Sequence, residues 1–294
     1  MRISTAGMNN QMIGQALRVQ SSYANALEQQ SSGLKSAKLS GLDGQAGAAV
    51  GLTADIERSE HLSTQAESAK AELEIAYAAV GGIGDLVEGI LVDIAGAMGT
   101  SNDATSLQAS ASDAIDNIVT LLNSQYAGSY VFSAGATNTQ PVDITDPAYD
   151  PALNTDYYQG GSNLRTVMLD GGSSVSYGAK ANDSAFAETL KALSQLINTS
   201  PLDDATMQSA YDTLTASVTD LARVQETLSG QSDTLNAVID SQTDFQLYAG
   251  EMLSSLTEVD VAVASADAAQ RQVLLEASFS ALSSLKSVSV LNYL

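Results

Sequence analysis

The chain has no cysteine, no tryptophan, one histidine and only four prolines in 294 residues. Without cysteine there can be neither a disulfide nor a thiolate metal site, and one histidine is meagre stock for acid–base chemistry or a transition metal. Basic residues are scarce as well: 12 Lys and Arg stand against 34 Asp and Glu, a formal charge of −22. That balance argues against nucleic acid or an anionic membrane as partner, because phosphate recognition needs a basic face. The opening Met1-Arg2-Ile3-Ser4 lacks the apolar segment and cleavage site of a secretory signal. No run is read as approaching the ~18 apolar residues of a membrane span. The expectation is a protein that is not an enzyme, with no catalytic residue, no cofactor, no bound metal and no membrane insertion.

The segments that organise the chain are its two ends. In residues 259–294, Val259, Val263, Ala266, Ala269, Val273, Ala277, Ala281, Leu285 and Val288 recur at spacings of three and four, the period of an α-helix. A second apolar row, Leu274, Leu275, Phe279 and Leu282, widens the stripe beyond what one partner helix covers. At the other end Ile13, Leu17, Gln20, Ala24, Leu27, Ser31 and Leu34 step likewise, with Ser4 or Thr5 as expected cap and Gly33 as stop. Charge is distributed to match. Residues 1–42 carry a net +3 and residues 261–294 sum to zero, leaving −25 for the span between them. Strongly acidic segments repel one another when copies gather, and the ends are spared that repulsion. The assembly interface is therefore expected at Ile13, Leu17, Ala24, Leu27, Leu34, Val263, Val273, Leu274, Leu275, Phe279, Leu282, Leu285, Leu291, Tyr293 and Leu294.

Between the ends the pattern is mainly helical. A helix is expected from about Gln45 to Met98, with the unbroken row Leu62, Ala66, Ala69, Leu73, Ala76, Val80, Ile83, Val87, Ile90, Ile94, Ala97. A third carries Leu107, Ala111, Ala114, Ile118, Leu121 and Gln125. A short helix near Ala185–Ile197 precedes a long one, opened by Pro201, whose row runs Met207, Tyr211, Leu214, Val218, Leu221, Gln225, Leu228, Ser232, Leu235, Ile239, Gln242, Gln246, Ala249, Leu253, Leu256. At 1.5 Å per residue that row is a rod of roughly 75 Å. Residues 128–182 differ, holding three of the four prolines, clustered Gly and Tyr, and β-type runs at Ser129–Ser133, Asp156–Gln159, Leu164–Leu169 and Ser174–Tyr177. Asp170-Gly171-Gly172 reads as a hairpin turn between the last two. The expected fold class is mainly α: long antiparallel coiled-coil helices, paired N- and C-terminal helices and a small β-rich insertion. Three zones follow, namely 1–42 with 259–294 as assembly core, 43–127 with 183–258 as coiled-coil domain, and 128–182 as outer insertion.

Two sites of other kinds come into view. Asp143, Asp146 and Asp150 in a Pro-rich loop offer oxygens to Ca²⁺, although their spacing is unlike an EF-hand and they lack its closing Glu; a solvated acidic loop is the simpler account. His61 stands in a helical Glu60-His61-Leu62 context with no nucleophile beside it, as a surface histidine would.

Met1-Arg2-Ile3-Ser4-Thr5, Gln30-Ser31-Ser32-Gly33 after the first helix and Tyr130-Val131-Phe132-Ser133 at the entry to the insertion resemble the flagellin superfamily. Within it Tyr130–Pro141, Tyr158-Gln159-Gly160 and Leu291-Asn292-Tyr293-Leu294 look most like the hook-associated branch that joins hook to filament. One departure is Ser40-Gly41-Leu42-Asp43-Gly44, standing where the family often has a Ser-Asp-Asp-Pro-like turn. The resemblance implies an extracellular subunit of the bacterial flagellum, exported by the flagellar type III apparatus with no cleaved signal. It implies as partners further copies of itself in a helical homo-oligomer, the other hook-associated protein, flagellin and a flagellar export chaperone. A flagellin-type filament subunit is the alternative nearest to it, and a secreted Ca-binding coiled-coil protein the alternative of another class.

Overall fold

The computed structural model describes residues 2–42, 44–98, 104–145, 150–169 and 172–287. Among these it is mainly α-helical, with helices α1 (Arg2–Ser32), α2 (Ala46–Ala97), α3 (Ala104–Leu122), α4 (Ser184–Asn198), α5 (Asp204–Thr257) and α6 (Val261–Ser287). Two small antiparallel hairpins lie between α3 and α4: β1 (Gln125–Tyr126) with β2 (Ser129–Tyr130), and β3 (Arg165–Met168) with β4 (Ser174–Tyr177). The chain divides into two compact units, one of residues 1–58 and 244–294, the other of residues 59–243.

The larger unit holds the bulk of the apolar core. Every member of the α2 row from Ala66 to Ala97 is buried, Leu62 half so. In α5 the row alternates buried Met207, Leu214, Leu221, Leu228 and Leu235 with half-buried Tyr211, Val218, Gln225, Ser232 and Ile239. Sustained four-three spacing thus becomes a seam, as expected when 3.5-residue periodicity faces a partner helix. The two helices run antiparallel: Ser59 Oγ donates to the Gln242 carbonyl at 3.2 Å and Gln225 Nε2 to the Tyr77 carbonyl at 3.4 Å. Gly81 and Gly82 sit where an added Cβ would meet Gln225 Nε2 at 3.1 Å and Leu121 Cδ1 at 3.3 Å, so the helix approach there uses their missing side chains. Part of α2 is, by length and composition, apolar enough to cross a membrane, contrary to the expectation from run length. Its row Val80, Ile83, Val87, Ile90 and Ile94 is buried in the helical core.

Differences from the sequence expectation fall mostly between α3 and α4. Gln125 leaves the helical row for β1, because the chain reverses at Ala127 (φ 48°) and Gly128 (φ 82°). Two successive positive φ values suit the tight hairpin turn whose twist matches that of its strands. Asp156–Gln159 is not a strand. It contributes only an isolated bridge, Val142 to Tyr158, while Tyr157 is fully buried with its hydroxyl 3.3 Å from the Ala181 carbonyl. Ser174–Tyr177 appears as expected, paired Arg165 to Tyr177 through Met168 to Ser174. Of the predicted turn only Gly172 (φ 81°) is described; Asp170 and Gly171 lie outside the described residues. Helix α1 starts at Arg2, ahead of the expected cap, and α5 starts three residues after Pro201, with Asp203 Oδ1 accepting the Thr206 N–H at 2.8 Å.

A largely buried ion pair ties the β region to α2. Arg165 Nη1 lies 2.6 Å from Glu72 Oε2, with side chains only 13% and 11% exposed. Its Nη2 donates to the Tyr130 carbonyl at 2.7 Å, and the guanidinium lies 6.0 Å from the Tyr177 ring centre. Burial first, and the Glu72 carboxylate second, push the Tyr177 phenol up. Phe132 meets Phe186 of α4 edge to face at 5.7 Å, so the β entry is fastened at a second point.

Glu72→Gln leaves a buried guanidinium without its counter-charge and should lower unfolding free energy by about 3 kcal/mol. Urea denaturation measures this, and adding Arg165→Met should return a large part of the loss. A second expectation concerns alkali. Burial, with a smaller contribution from the Asp183 charge, raises Tyr157 and pushes Tyr158 up to about 12 from 10.0. Groups raised in the folded state stabilise fully below their unfolded pKa, and that stabilisation is lost as pH climbs through the folded value. The melting temperature should therefore fall between pH 10 and about 12, and Tyr158→Phe should flatten the fall.

Candidate assembly surface

The smaller unit is built on a different principle from the larger. Helices α1 and α6 pair antiparallel, with Arg271 Nη1 donating to Ser22 Oγ, and Arg271 Nε to Asp267 Oδ2 at 2.7 Å. The seam between them is small. Ala16 and Ala26 of α1 and Ala264 and Ala268 of α6 are buried, and with Leu42, Ala49 and Ala249 they make up the unit's buried apolar residues among the described ones. On α6 the inward row is Ala264, Ala268, Arg271, Leu275, Ser278 and Leu282, with its last four members half-buried.

The larger apolar side chains point elsewhere. Among the described residues, fifteen of the nineteen exposed large hydrophobic side chains belong to this unit, although it is the shorter of the two. Ile13, Leu17, Leu27 and Leu34 of the N-terminal row are exposed, Leu17 at 59%, and Ala24 is exposed between them. From the C-terminal rows Val263 (62%), Val273 (65%), Leu274 and Phe279 are exposed. Leu275 and Leu282 are half-buried and belong to the seam between α1 and α6. Leu285 lies in α6, and nothing further is described of its side chain; Val288, Leu291, Tyr293 and Leu294 lie outside the described residues. The N-terminal row and the first C-terminal row from Val263 to Ala281 therefore face outward, while the second C-terminal row divides between outward Leu274 and Phe279 and inward Leu275 and Leu282, beside the inward alanines.

Seven further apolar side chains share this exposure without having been singled out: Leu39, Val50, Phe245, Leu247, Tyr248, Met252 and Val261. Phe245, Tyr248 and Met252 stand at i, i+3 and i+7 on one face of α5. That spacing was the available signal, overshadowed by the longer heptad row running beside it.

The acidic loop is engaged internally. Asp143 Oδ1 accepts the Thr145 N–H at 2.9 Å and its hydroxyl at 2.7 Å, bonds that hold the Asp143 carboxyl below its usual range. Asp150 accepts from the Ala152 N–H, Ser194 Oγ and Asn198 Nδ2, fastening the loop to α4. Asp146 lies outside the described residues, and among the described ones no group of three or more acidic or histidine side chains is placed to hold a metal ion. His61 is exposed on α2.

No protein-family model and no curated protein matches the chain. Among solved structures it is similar to a protein described as flagellar hook-associated from Vibrio parahaemolyticus, at 15% identity over 74% of this chain and 95% of that one, with a TM-score of 0.48. It is also similar to FlgL of Bacillus cereus, at 15% identity over 83% of this chain and 99% of that one, with a TM-score of 0.39.

Inward and outward positions should respond to opposite changes. Ala264→Leu or Ala268→Leu overfills the seam and should weaken pairing of α1 with α6 by about 1–3 kcal/mol. Leu274→Ser, on the outward face, should leave the dilute single chain within about 0.5 kcal/mol of the parent. Amide exchange of α1 and α6 in dilute protein reads both effects.

Proposed function

We propose that this chain is a structural subunit of the bacterial flagellum that self-assembles helically through its paired ends and joins hook to filament, as a hook-associated protein 3 type. The observation that carries the proposal is the inversion in the smaller unit: alanine inside, Leu, Ile, Val and Phe outside. Each large side chain left in water forgoes roughly 1.5–3 kcal/mol of burial. Exposed large apolar side chains gathered on one unit are the mark of an interaction site. The sequence resemblance supplies the kind of assembly. The site residues in this scheme are Ile13, Leu17, Ala24, Leu27, Leu34, Val263, Val273, Leu274, Phe279 and, beyond the described helices, Leu291, Tyr293 and Leu294. Leu275 and Leu282 act inside the pair, and Leu285 extends the row.

In this scheme the three zones divide the labour. The terminal helices form the assembly core, residues 43–127 and 183–258 the coiled-coil shell, and residues 128–182 the outer face. The partners are further copies, the other hook-associated protein on one side and flagellin on the other, with a flagellar export chaperone before assembly. The location is extracellular, reached by the flagellar type III route without cleavage of a signal, and the role is structural with no reaction catalysed.

Electron microscopy of the purified protein, alone and with flagellin-type seeds, tests the assignment. Capping of seeds without long growth is the expected result; unlimited self-growth would transfer the chain to the filament-subunit class, and no association under either condition would end the proposal. Leu274→Asp or Phe279→Asp should abolish association while the helical signal of the dilute chain is kept. Weaker amide protection of α1 and α6 than of Leu62–Ala97 in the free chain, rising on assembly, is the accompanying expectation.

A further inference from the structure

We infer that residues 33–35 and 257–259 form a joint that makes α1 and α6 a single cooperative body, with Lys35 as its latch.

Helix α1 ends at Ser32 and α5 at Thr257, far apart in sequence and side by side in space. The Lys35 N–H donates to the Thr257 carbonyl at 2.7 Å and the Val259 N–H to the Gly33 carbonyl at 2.8 Å. These bonds flank Leu34 and Glu258, which face each other as an antiparallel bridge of the kind without direct hydrogen bonds between the opposed residues. Gly33, at φ 71°, supplies the left-handed turn that leads the chain out of α1 into the bridge.

Each leg is also tied to its own helix. Gln29 Nε2 donates to the Lys35 carbonyl at 2.8 Å, and the Leu34 N–H to Ser32 Oγ at 3.2 Å. Ser254 Oγ donates to Glu258 Oε2 at 2.8 Å, and Asp260 Oδ1 caps α6 by accepting the Ala262 N–H at 2.8 Å. Across the legs the Lys35 ammonium donates to the Ser255 carbonyl and, at 3.1 Å, to that of Leu256. Those carbonyls belong to the last turn of α5, where four acceptors lack intrahelical partners and the helix end is partly negative. A cation there satisfies orphan acceptors and holds the N-terminal leg against the C-terminal one.

Two helices each attached to the rest by one covalent leg fray independently. With the legs joined, the seam of α1 and α6 forms between segments already held close, so ordering one raises the effective concentration of its partner. Order in α1 therefore brings order in α6, and the reverse.

Amide exchange on the full chain tests this with Lys35→Met, Lys35→Arg and the pair Leu34→Cys with Glu258→Cys. Opposed residues of such a bridge lie about 4.5 Å apart at Cα, within reach of a disulfide, and the chain has no cysteine of its own to compete. Lys35→Met should speed exchange at Val259 and along both α1 and α6 by about tenfold, the scale of a lost charge-assisted hydrogen bond, with Leu62–Ala97 unchanged. Lys35→Arg should restore much of the protection, and the oxidised cysteine pair should restore it on both helices in the Lys35→Met background. Loosening of one end helix alone, or of neither, overturns the inference. If Lys35→Met unfolds the whole chain, the cysteine pair in the otherwise unaltered protein decides: oxidation that slows exchange on both helices supports the joint, and oxidation that slows one or none removes it.

Discussion

The feature on which the rest depends is the size of the side chains between α1 and α6. Alanine permits two helices to approach closely, at the short end of the usual 8–10 Å separation, but it brings little apolar area out of water. Ala16, Ala26, Ala264 and Ala268 define a pair in contact, while Leu17, Val263, Val273 and Phe279 remain outside it. The larger unit does the opposite, placing Leu73, Ile83, Ile94, Leu190, Leu193 and Leu214 inside, each fully buried. The larger unit buries most of its large apolar side chains in its own packing; the smaller leaves many of its own exposed.

The β region adds a second kind of constraint. Its hairpins are too short to be stable alone, since isolated two-stranded ribbons are marginal in water. It is held by specific points of attachment to the helices: Glu72 with Arg165, Phe132 against Phe186, and Gly178 N–H to Gln231 Oε1 at 2.8 Å. The ion pair is directional where apolar packing is not, so it fixes how β2 and β3 sit on α2 as well as holding them there.

Legibility in the sequence followed the strength of periodic signals. The rows of α2 and α5 were readable residue by residue, because a four-three spacing sustained over many turns has one structural solution. The end helices were readable as helices, but which of their faces turns inward was not: the row through Val263 and Val273, expected against a partner helix, is exposed, and Leu275 and Leu282 of the second row turn inward with the alanines. Alanine carries little weight in a hydrophobic pattern, so Ala264 and Ala268 were outvoted by Val263 and Val273 beside them. Between α3 and α4 the failures have local causes. The residue types of Asp156–Gln159 favour a strand, yet Tyr157 lies in a turn and is fully buried, and the β1–β2 turn uses a positive φ at Ala127 that no residue preference announces. The Glu72–Arg165 contact spans 93 residues and left no trace in local spacing.

Under the proposed self-assembly, the narrowness of the alanine seam would also set a valence. At 100° per residue, Val263 and Leu274 fall on one flank of the α6 seam, and Val261 and Phe279 on the other. A body with a single sticky flank can close as a dimer and stop. In the proposed assembly two unlike flanks divided by a seam would not both be used up by one neighbour, and each copy that joined would expose a fresh flank to the next. Growth of that kind continues until the rotation between copies closes a ring or, failing that, winds into a helix.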